Sequence, residues 1–259
     1  MAEIIAIASG KGGVGKSTTT ANIGTALAMM GNKILMIDGD IGLRNLDLIL
    51  GMQNSVAYDF NDILNNRCTD DQAILADDRY PGLHLLPAPQ NVDINDIDKE
   101  KLDNLIEKLS PYYNYILIDC PAGIHDGFKL MSSKANQALI IATPELMSVR
   151  DADVTISKLE DLHFDEIYLI INKINVEMVK SGQMMSIDDI INIVAVPLIG
   201  AIPDEKDVIH SNNIGKPVVL KTRSRAGMAY ANIAKRITGA KVPILQDEKK
   251  GLFGFLHKR

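Results

Sequence analysis

A lysine and a hydroxyl close a glycine-rich run, Gly10-Lys11-Gly12-Gly13-Val14-Gly15-Lys16-Ser17, with Thr18 following. The chemistry such a run supports is the holding of phosphates. Glycines let successive backbone N–H groups turn inward, and a helix starting at their end adds positive potential. Lys16 would neutralise the β and γ phosphates of a nucleotide, and Ser17 would offer its hydroxyl to Mg²⁺. A rival reading shares the glycines. Gly10, Gly12 and Gly15 also spell the dinucleotide fingerprint G-x-G-x-x-G, with Asp38 about where such a fold keeps its ribose-binding acid. Lys16-Ser17 favours ATP over NAD, because a dinucleotide site has no use for an ammonium and a metal-ligating hydroxyl there.

Phosphate chemistry also needs acids. Tyr115-Ile116-Leu117-Ile118-Asp119 is an apolar run ending in a carboxylate, the Walker B pattern, which would hold Mg²⁺ directly or through water. Cys120-Pro121-Ala122-Gly123 follows as a rigid turn whose Gly123 amide would approach the γ-phosphate. Asp38 and Asp40 lie in Ile37-Asp38-Gly39-Asp40-Ile41. Asp40 is placed to orient or deprotonate the attacking water and Asp38 to act as an outer-shell metal partner. Spacing alone leaves both open to a plainer use as turn residues.

These residues need a scaffold that brings strand ends together. Short apolar runs, at Ile4–Ala8, Ile34–Ile37, Leu83–Leu86, Tyr115–Ile118, Ala138–Ala142, Ile167–Ile171 and Pro197–Ile202, read as parallel strands covered on both faces. Helix-like segments at Ser17–Met30, Lys99–Leu109, Arg150–Leu162 and Arg225–Thr238 lie between and after them. The alternation predicts an α/β fold, a doubly wound, mostly parallel sheet with helices on both faces and ligands beyond the carboxyl ends of the strands. The expected organisation is one ATPase domain over 1–245 and a polar linker with an apolar, basic appendage over 246–259.

The 259-residue length suits one such domain, and the formal charge of −6 argues weakly against a general polyanion binder. Cys68 and Cys120 lack metal spacing and suit a reducing compartment. No apolar run approaches the roughly 20 residues needed to span a bilayer. The start of the chain reads as a first strand rather than a signal peptide, so a cytoplasmic location is expected.

Lys11, a second lysine inside the loop, turns Lys11-Gly12-Gly13-Val14-Gly15-Lys16-Ser17-Thr18 into a run that resembles the deviant Walker A signature of the ParA/MinD class of ATPases, which includes the nitrogenase iron protein. Asp38–Asp47, Asp119–Ile124, Thr143–Asp153 and Ser211-Asn212-Asn213-Ile214-Gly215-Lys216-Pro217 are similar to the division-site regulators of that class. The resemblance covers essentially the whole chain. It implies an ATPase that forms a homodimer when ATP-bound and attaches to the inner face of the cytoplasmic membrane as a peripheral protein. It further implies recruitment of a MinC-like septation inhibitor and release by a MinE-like activator of hydrolysis, or placement by another polar positioning protein.

Residue by residue, the resemblance makes Lys11 the lysine that reaches the partner's ATP, and Lys16 and Ser17 the phosphate and Mg²⁺ ligands. It makes Asp40 the water-orienting acid and Asp119 the Walker B acid, and has Asn172 and Asp204 contact the base. Glu145 and Asp151 would lie near the dimer interface. Two departures stand out. Cys120 replaces a common serine, and Asn172-Lys173 lacks the arginine often found at the second position.

On a helix at about 100° per residue, Leu252, Phe253, Phe255 and Leu256 share one broad face, with Lys250, His257 and Lys258 opposite. Read alone, this pattern fits a membrane-surface segment, a terminus packed on its own domain or an interaction tag. The resemblance favours an anionic membrane surface, bound through those four apolar residues and Lys258. Three other functions share the catalytic core. A DNA-segregating ATPase would need a basic surface and has little use for a Phe/Leu tail, so specific nucleic-acid binding is not expected. An electron-transfer ATPase would need paired cysteines at a dimer axis, and a flagellar-placement relative would also use a membrane-binding dimer.

Overall fold

The computed structural model describes residues 1–162 and 164–244. The expected appendage at 246–259, with Leu252, Phe253, Phe255, Leu256 and Lys258, lies outside the described residues. The strands are β1 (Glu3–Ala8), β2 (Ile34–Asp38), β3 (Leu75–Ala76), β4 (Leu83–Leu86), β5 (Tyr115–Asp119), β6 (Gln137–Ala142), β7 (Glu166–Ile174) and β8 (Leu198–Pro203). They form one 8-stranded sheet in the order β3-β4-β2-β5-β1-β6-β7-β8. Every pairing is parallel except β3 with β4. The two-residue antiparallel edge strand β3 was not expected, since Leu75-Ala76 carries too little pattern to announce itself.

Alternation along each strand divides the core into two layers. Ala6, Ala8, Leu35, Ile37, Ile116 and Ile118 face the helices Lys99–Leu109 and Leu146–Asp161. Ile5, Ile7, Ile34, Met36 and Leu117 face the helices Lys16–Met29 and Arg225–Ile237. Helix Lys99–Leu109 shows how sequence sets such a layer. Asp98 accepts a hydrogen bond from the Lys101 amide at its start, and Leu102, Leu105, Ile106 and Leu109 repeat at helical spacing on the buried face. Helix Lys16–Met29 is different, for it is wedged between sheet and helix Arg225–Ile237 and buried nearly all round. A Cβ at Gly24 would come within 2.5 Å of the Met36 sulfur, so glycine is what lets this helix lie so close to β2.

Parallel register then brings the chemistry together. Asp38 pairs with Asp119 at the carboxyl tips of β2 and β5, and Ile7 of β1 pairs with Asp119 just before the glycine loop begins.

Candidate functional site

The loop after β1 takes its shape from left-handed glycines and from two close approaches. Gly13 (φ 79°) and Gly15 (φ 96°) occupy backbone conformations that side chains disfavour. A Cβ at Gly10 would lie 2.6 Å from the Asp151 backbone oxygen, and one at Gly15 would lie 2.4 Å from Asn172 Nδ2. Gly15 opens helix Lys16–Met29 without any side-chain cap, and the first turn carries no acid. That end therefore presents backbone donors and the positive end of the helix dipole to whatever enters.

Lys16 lies beneath the loop with its ammonium 2.9 Å from Asp119 Oδ1; the two side chains are 8% and 0% exposed. Thr20 Oγ1 donates to the same oxygen at 3.1 Å. Asp119 Oδ2 is buried with no partner among the described residues. Burial by itself would lower the pKa of Lys16, but the Asp119 carboxylate beside it more than reverses this and raises it. The ammonium is thus held charged.

Asp38 is fully buried, and burial followed by the neighbouring Asp119 charge pushes its pKa up to about 7. Its Oδ1 accepts from the Asp40 amide at 3.0 Å; its Oδ2 accepts from the Asn45 and Leu46 amides at 2.9 and 3.0 Å. The acid expected as an outer-shell metal partner is here engaged in shaping the 40–46 loop. Asp40 is half-buried and lines the cavity, with Asn45 Nδ2 donating to its Oδ2 at 3.3 Å. Burial raises its pKa against the opposing pull of Lys16. The Gly123 amide donates to the Ser9 carbonyl at 2.8 Å, which ties the Walker B turn to the start of the loop. Contact of that amide with a phosphate would require this bond to open. Cys120 is buried, and its thiol is pushed to a high pKa, which makes it inert.

Above these groups lies a cavity of about 900 Å³, within the size of small-molecule sites. Gly12, Gly13, Gly15, Lys16, Ser17 and Thr18 form its floor, and Asn172, Lys173, Pro203, Asp204 and Glu205 form one wall. Leu43, Leu48, Val208 and Ile209 add an apolar side. Asn172 belongs to β7 itself rather than following it, because the strand runs on to Ile174. Its Nδ2 donates to the Val14 carbonyl at 2.8 Å. The Asp204 amide donates to the Ile174 carbonyl at 2.9 Å, which places Asp204 at the same wall. Lys11 reaches Glu145 at 3.2 Å within the one chain, on the exposed rim. The helix containing Asp151 begins at Leu146, one turn earlier than its sequence suggests.

Three contacts escaped the reading of the sequence. Glu205 Oε2 accepts from Ser224 Oγ and the Ala226 amide, both at 2.8 Å, fastening the cavity wall to the start of helix Arg225–Ile237. Asn212 Nδ2 donates to Thr18 Oγ1 at 2.8 Å. Lys173 Nζ donates to the Gly13 carbonyl at 2.7 Å. The partners are distant in sequence, so no local signal announces these contacts, even where the resemblance had already marked the stretches holding Lys173 and Asn212. Among the described residues no group of three or more His, Cys, Asp or Glu could hold a metal alone. That suits Mg²⁺, which is usually held by few side chains together with phosphate and water. Ser17 on the floor and the unpartnered Asp119 Oδ2 fit such an ion.

The family model described as CobQ/CobB/MinD/ParA nucleotide binding domain matches residues 5–218. A septum site-determining protein MinD from Synechocystis sp. is 48% identical over 246 residues, 95% of this chain and 92% of that protein. The MinC:MinD cell division protein complex of Aquifex aeolicus contains a chain similar at TM-score 0.89 and 45% identity, covering 95% of this chain and 99% of that one. MinD of Pyrococcus horikoshii, solved with Mg-ADP, matches at TM-score 0.82 and 29% identity over 93% of this chain and 100% of that one.

Proposed function

The chain belongs to the CobQ/CobB/MinD/ParA nucleotide-binding family, in its septum site-determining MinD branch, and from that premise we propose an ATPase whose nucleotide state governs dimerisation and membrane residence. The observation that carries this reading is the buried Lys16–Asp119 pair under an uncapped helix start. A lysine held charged beneath a loop of glycine amides is matched to phosphate, and Asp119 keeps an oxygen without a partner among the described residues. The Mg-ADP relative has the same fold, which supports ATP with Mg²⁺ as the ligand pair. Support for a DNA-segregating ATPase is weaker, given the identity to septum-site proteins and the −6 charge.

In this reading the loop amides and Lys16 take the β and γ phosphates, so the ammonium shares its charge between phosphate and Asp119. Ser17 and Asp119 would hold Mg²⁺, which screens phosphate charge and favours departure of the γ-phosphoryl group. Asp40 orients the attacking water from the cavity side. Asn172 and Asp204 meet the base, and Thr18 and Gly123 complete the phosphate shell. Lys11 leaves Glu145 to reach the nucleotide of a second copy, with Glu145 and Asp151 near that interface.

A MinC-like inhibitor is the expected cargo, since the Aquifex relative is found in complex with MinC. A MinE-like activator would accelerate hydrolysis and release the dimer. Residues 246–259 would be the membrane segment, with Leu252, Phe253, Phe255 and Leu256 inserted and Lys258 at the headgroups. Four partly inserted apolar side chains, at roughly 1 kcal/mol each after ordering costs, bind weakly. Two such segments on one dimer gain an avidity of about 10²–10⁴-fold. ATP would thus set residence at the cytoplasmic membrane without acting on the segment itself.

Sedimentation with anionic phospholipid vesicles tests the coupling. The full chain is expected to pellet more with ATP than with ADP, and a chain ending at Lys249 to stay in solution with either. Equal pelleting of both chains under both nucleotides would sink it. Asp40→Ala should keep ATP-dependent pelleting while phosphate release falls at least about tenfold; normal release would remove Asp40 from its role.

A further inference from the structure

We propose that Lys173 is a positioning residue which, together with Asn172, presets the phosphate-binding amides of the glycine loop; this rests on the nucleotide-binding reading above. Two adjacent residues of β7 donate to two adjacent carbonyls of the loop. Asn172 Nδ2 reaches the Val14 oxygen at 2.8 Å, and Lys173 Nζ reaches the Gly13 oxygen at 2.7 Å.

The consequence follows from peptide geometry. In a planar trans peptide the carbonyl of one residue and the amide N–H of the next point in opposite directions. Drawing the Gly13 carbonyl toward Lys173 therefore turns the Val14 N–H the other way. Drawing the Val14 carbonyl toward Asn172 does the same for the Gly15 N–H. Among the described residues neither amide donates to a backbone acceptor, which leaves both for an anion. Lys173 thus acts on the shape of the loop from behind. Lys16, by contrast, faces a carboxylate and the space where phosphate would sit.

The backbone is distorted to achieve this. Lys173 adopts φ 61°, a left-handed conformation that a non-glycine residue rarely takes. Pairing between β7 and β8 loses its regular register between Ile171 and Ile174, at this dipeptide. The Lys173 amide donates to Asn172 Oδ1 at 2.9 Å, which locks the pair in one arrangement. Gly15 must lack a Cβ for Asn172 to come this near. A lysine lying idle on the surface would need none of these features.

The two tethers differ in what replaces them. Asn172 is buried and lines the cavity, so its loss would have several effects. Lys173 is the cleaner probe. For the full chain, Lys173→Met should weaken MgADP binding by calorimetry about tenfold, the loss expected for one charge-assisted hydrogen bond. Phosphate release at saturating ATP should stay within about twofold, because the amides hold substrate and transition state alike. Lys173→Arg, which keeps a charged donor, should recover most of the affinity.

Lys173→Gly removes the donor and relieves the left-handed backbone, so it should bind as poorly as Lys173→Met while unfolding at the same or higher denaturant. In ¹⁵N spectra of the nucleotide-free protein, the Val14 and Gly15 amides should shift in the Met and Gly variants and not in the Arg variant. Unchanged affinity in both the Met and Gly variants, with wild type binding normally, would overturn the positioning role alone. A tenfold fall in saturated phosphate release at unchanged affinity would overturn it too, by making Lys173 part of the reaction. Failure of the wild type to bind MgADP would instead overturn the nucleotide reading and this inference with it.

Discussion

At the carboxyl tips of β2 and β5 the sheet carries Asp38 and Asp119 side by side and fully buried, whereas at its amino end Glu3 and Glu166 border a smaller cavity of about 240 Å³. Each end has one principal cation. At the carboxyl end Lys16 pairs with Asp119. At the amino end Arg236 ignores both acids and donates to backbone carbonyls, those of Ile199 and Val242 at 2.8 Å and Pro243 at 2.6 Å. The difference separates a working site from a stitch. Where two buried carboxylates lie beside one lysine, an oxygen is left over and a pKa is displaced, both of which a ligand can use. Where a guanidinium meets carbonyls, three of its donors fasten the chain beyond helix Arg225–Ile237 to the foot of the sheet.

Removing each cation should therefore have different consequences. Lys16→Met leaves Asp119 buried without its charge partner and should destabilise the nucleotide-free protein by about 3–5 kcal/mol in urea unfolding. Nucleotide binding should be lost as well. Adding Asp119→Leu should recover much of the stability and none of the binding. If Lys16→Met costs under about 1 kcal/mol, the contrast between a strained end and a satisfied end fails.

The displaced acid gives the next effect, and its sign is set by the direction of the shift. Asp38 titrates at about 7 in the folded chain against 3.8 for the free side chain, so the folded state binds its proton more tightly. The stability contributed by that proton is fully present below about pH 4 and is lost as pH rises through about 7. Relative to Asp38→Asn, the wild type should lose at most about 1.4 kcal/mol per pH unit across this window, read from urea midpoints. Glu3 is also raised, first by burial, with Gln137 opposing and Glu166 adding to it, but it is only half-buried. Glu3→Gln should show the same sign with a shallower slope, and an equal slope would erase the distinction between the two ends.

The carboxyl end was the more legible of the two in sequence, for a physical reason. Its residues are local: a glycine run with Lys16-Ser17, and acids directly after apolar stretches, each sit at a strand tip that periodicity locates. The strands came through for the same reason, as β4 (Leu83–Leu86) illustrates, while Leu75-Ala76 was too short to register. What the sequence withheld is who meets whom. Gly10 and Gly15 announce close approach without naming Asp151 and Asn172 as the neighbours. Lys173, Glu205 and Asn212 act through partners that only tertiary folding supplies. Arg236 was invisible because a basic residue in the last turn of an amphipathic helix reads as ordinary solvated charge.

Arg236 supplies the third and smaller effect. Arg236→Met should cost about 1–3 kcal/mol through lost charge-assisted hydrogen bonds, partly offset because the carbonyls can turn to water. MgADP affinity should not change, since the bonds that tie the start of helix Arg225–Ile237 to the cavity wall, from Ser224 and Ala226 to Glu205, lie at its other end. A weakened nucleotide affinity in this variant would mean that the two ends are coupled through the helix.

The smallest stability change should come from the ion pair on the rim of the working end, Lys11 with Glu145. The partners are 36% and 64% exposed at 3.2 Å, and such a pair exchanges protein contact for water at little gain. Lys11→Met and Glu145→Gln should each alter the unfolding free energy by less than about 0.5 kcal/mol. Function should part them. If Lys11 exists to reach a second copy's nucleotide, Lys11→Met should abolish ATP-dependent dimerisation in sedimentation velocity, whereas Glu145→Gln should leave Lys11 able to make that contact. Dimerisation persisting in Lys11→Met would reduce this lysine to rim charge. A cost of several kcal/mol from either change would instead show that the buried network of Lys16, Asp38 and Asp119 extends outward to the surface, and that the boundary between site and stitch runs through the loop rather than through the sheet.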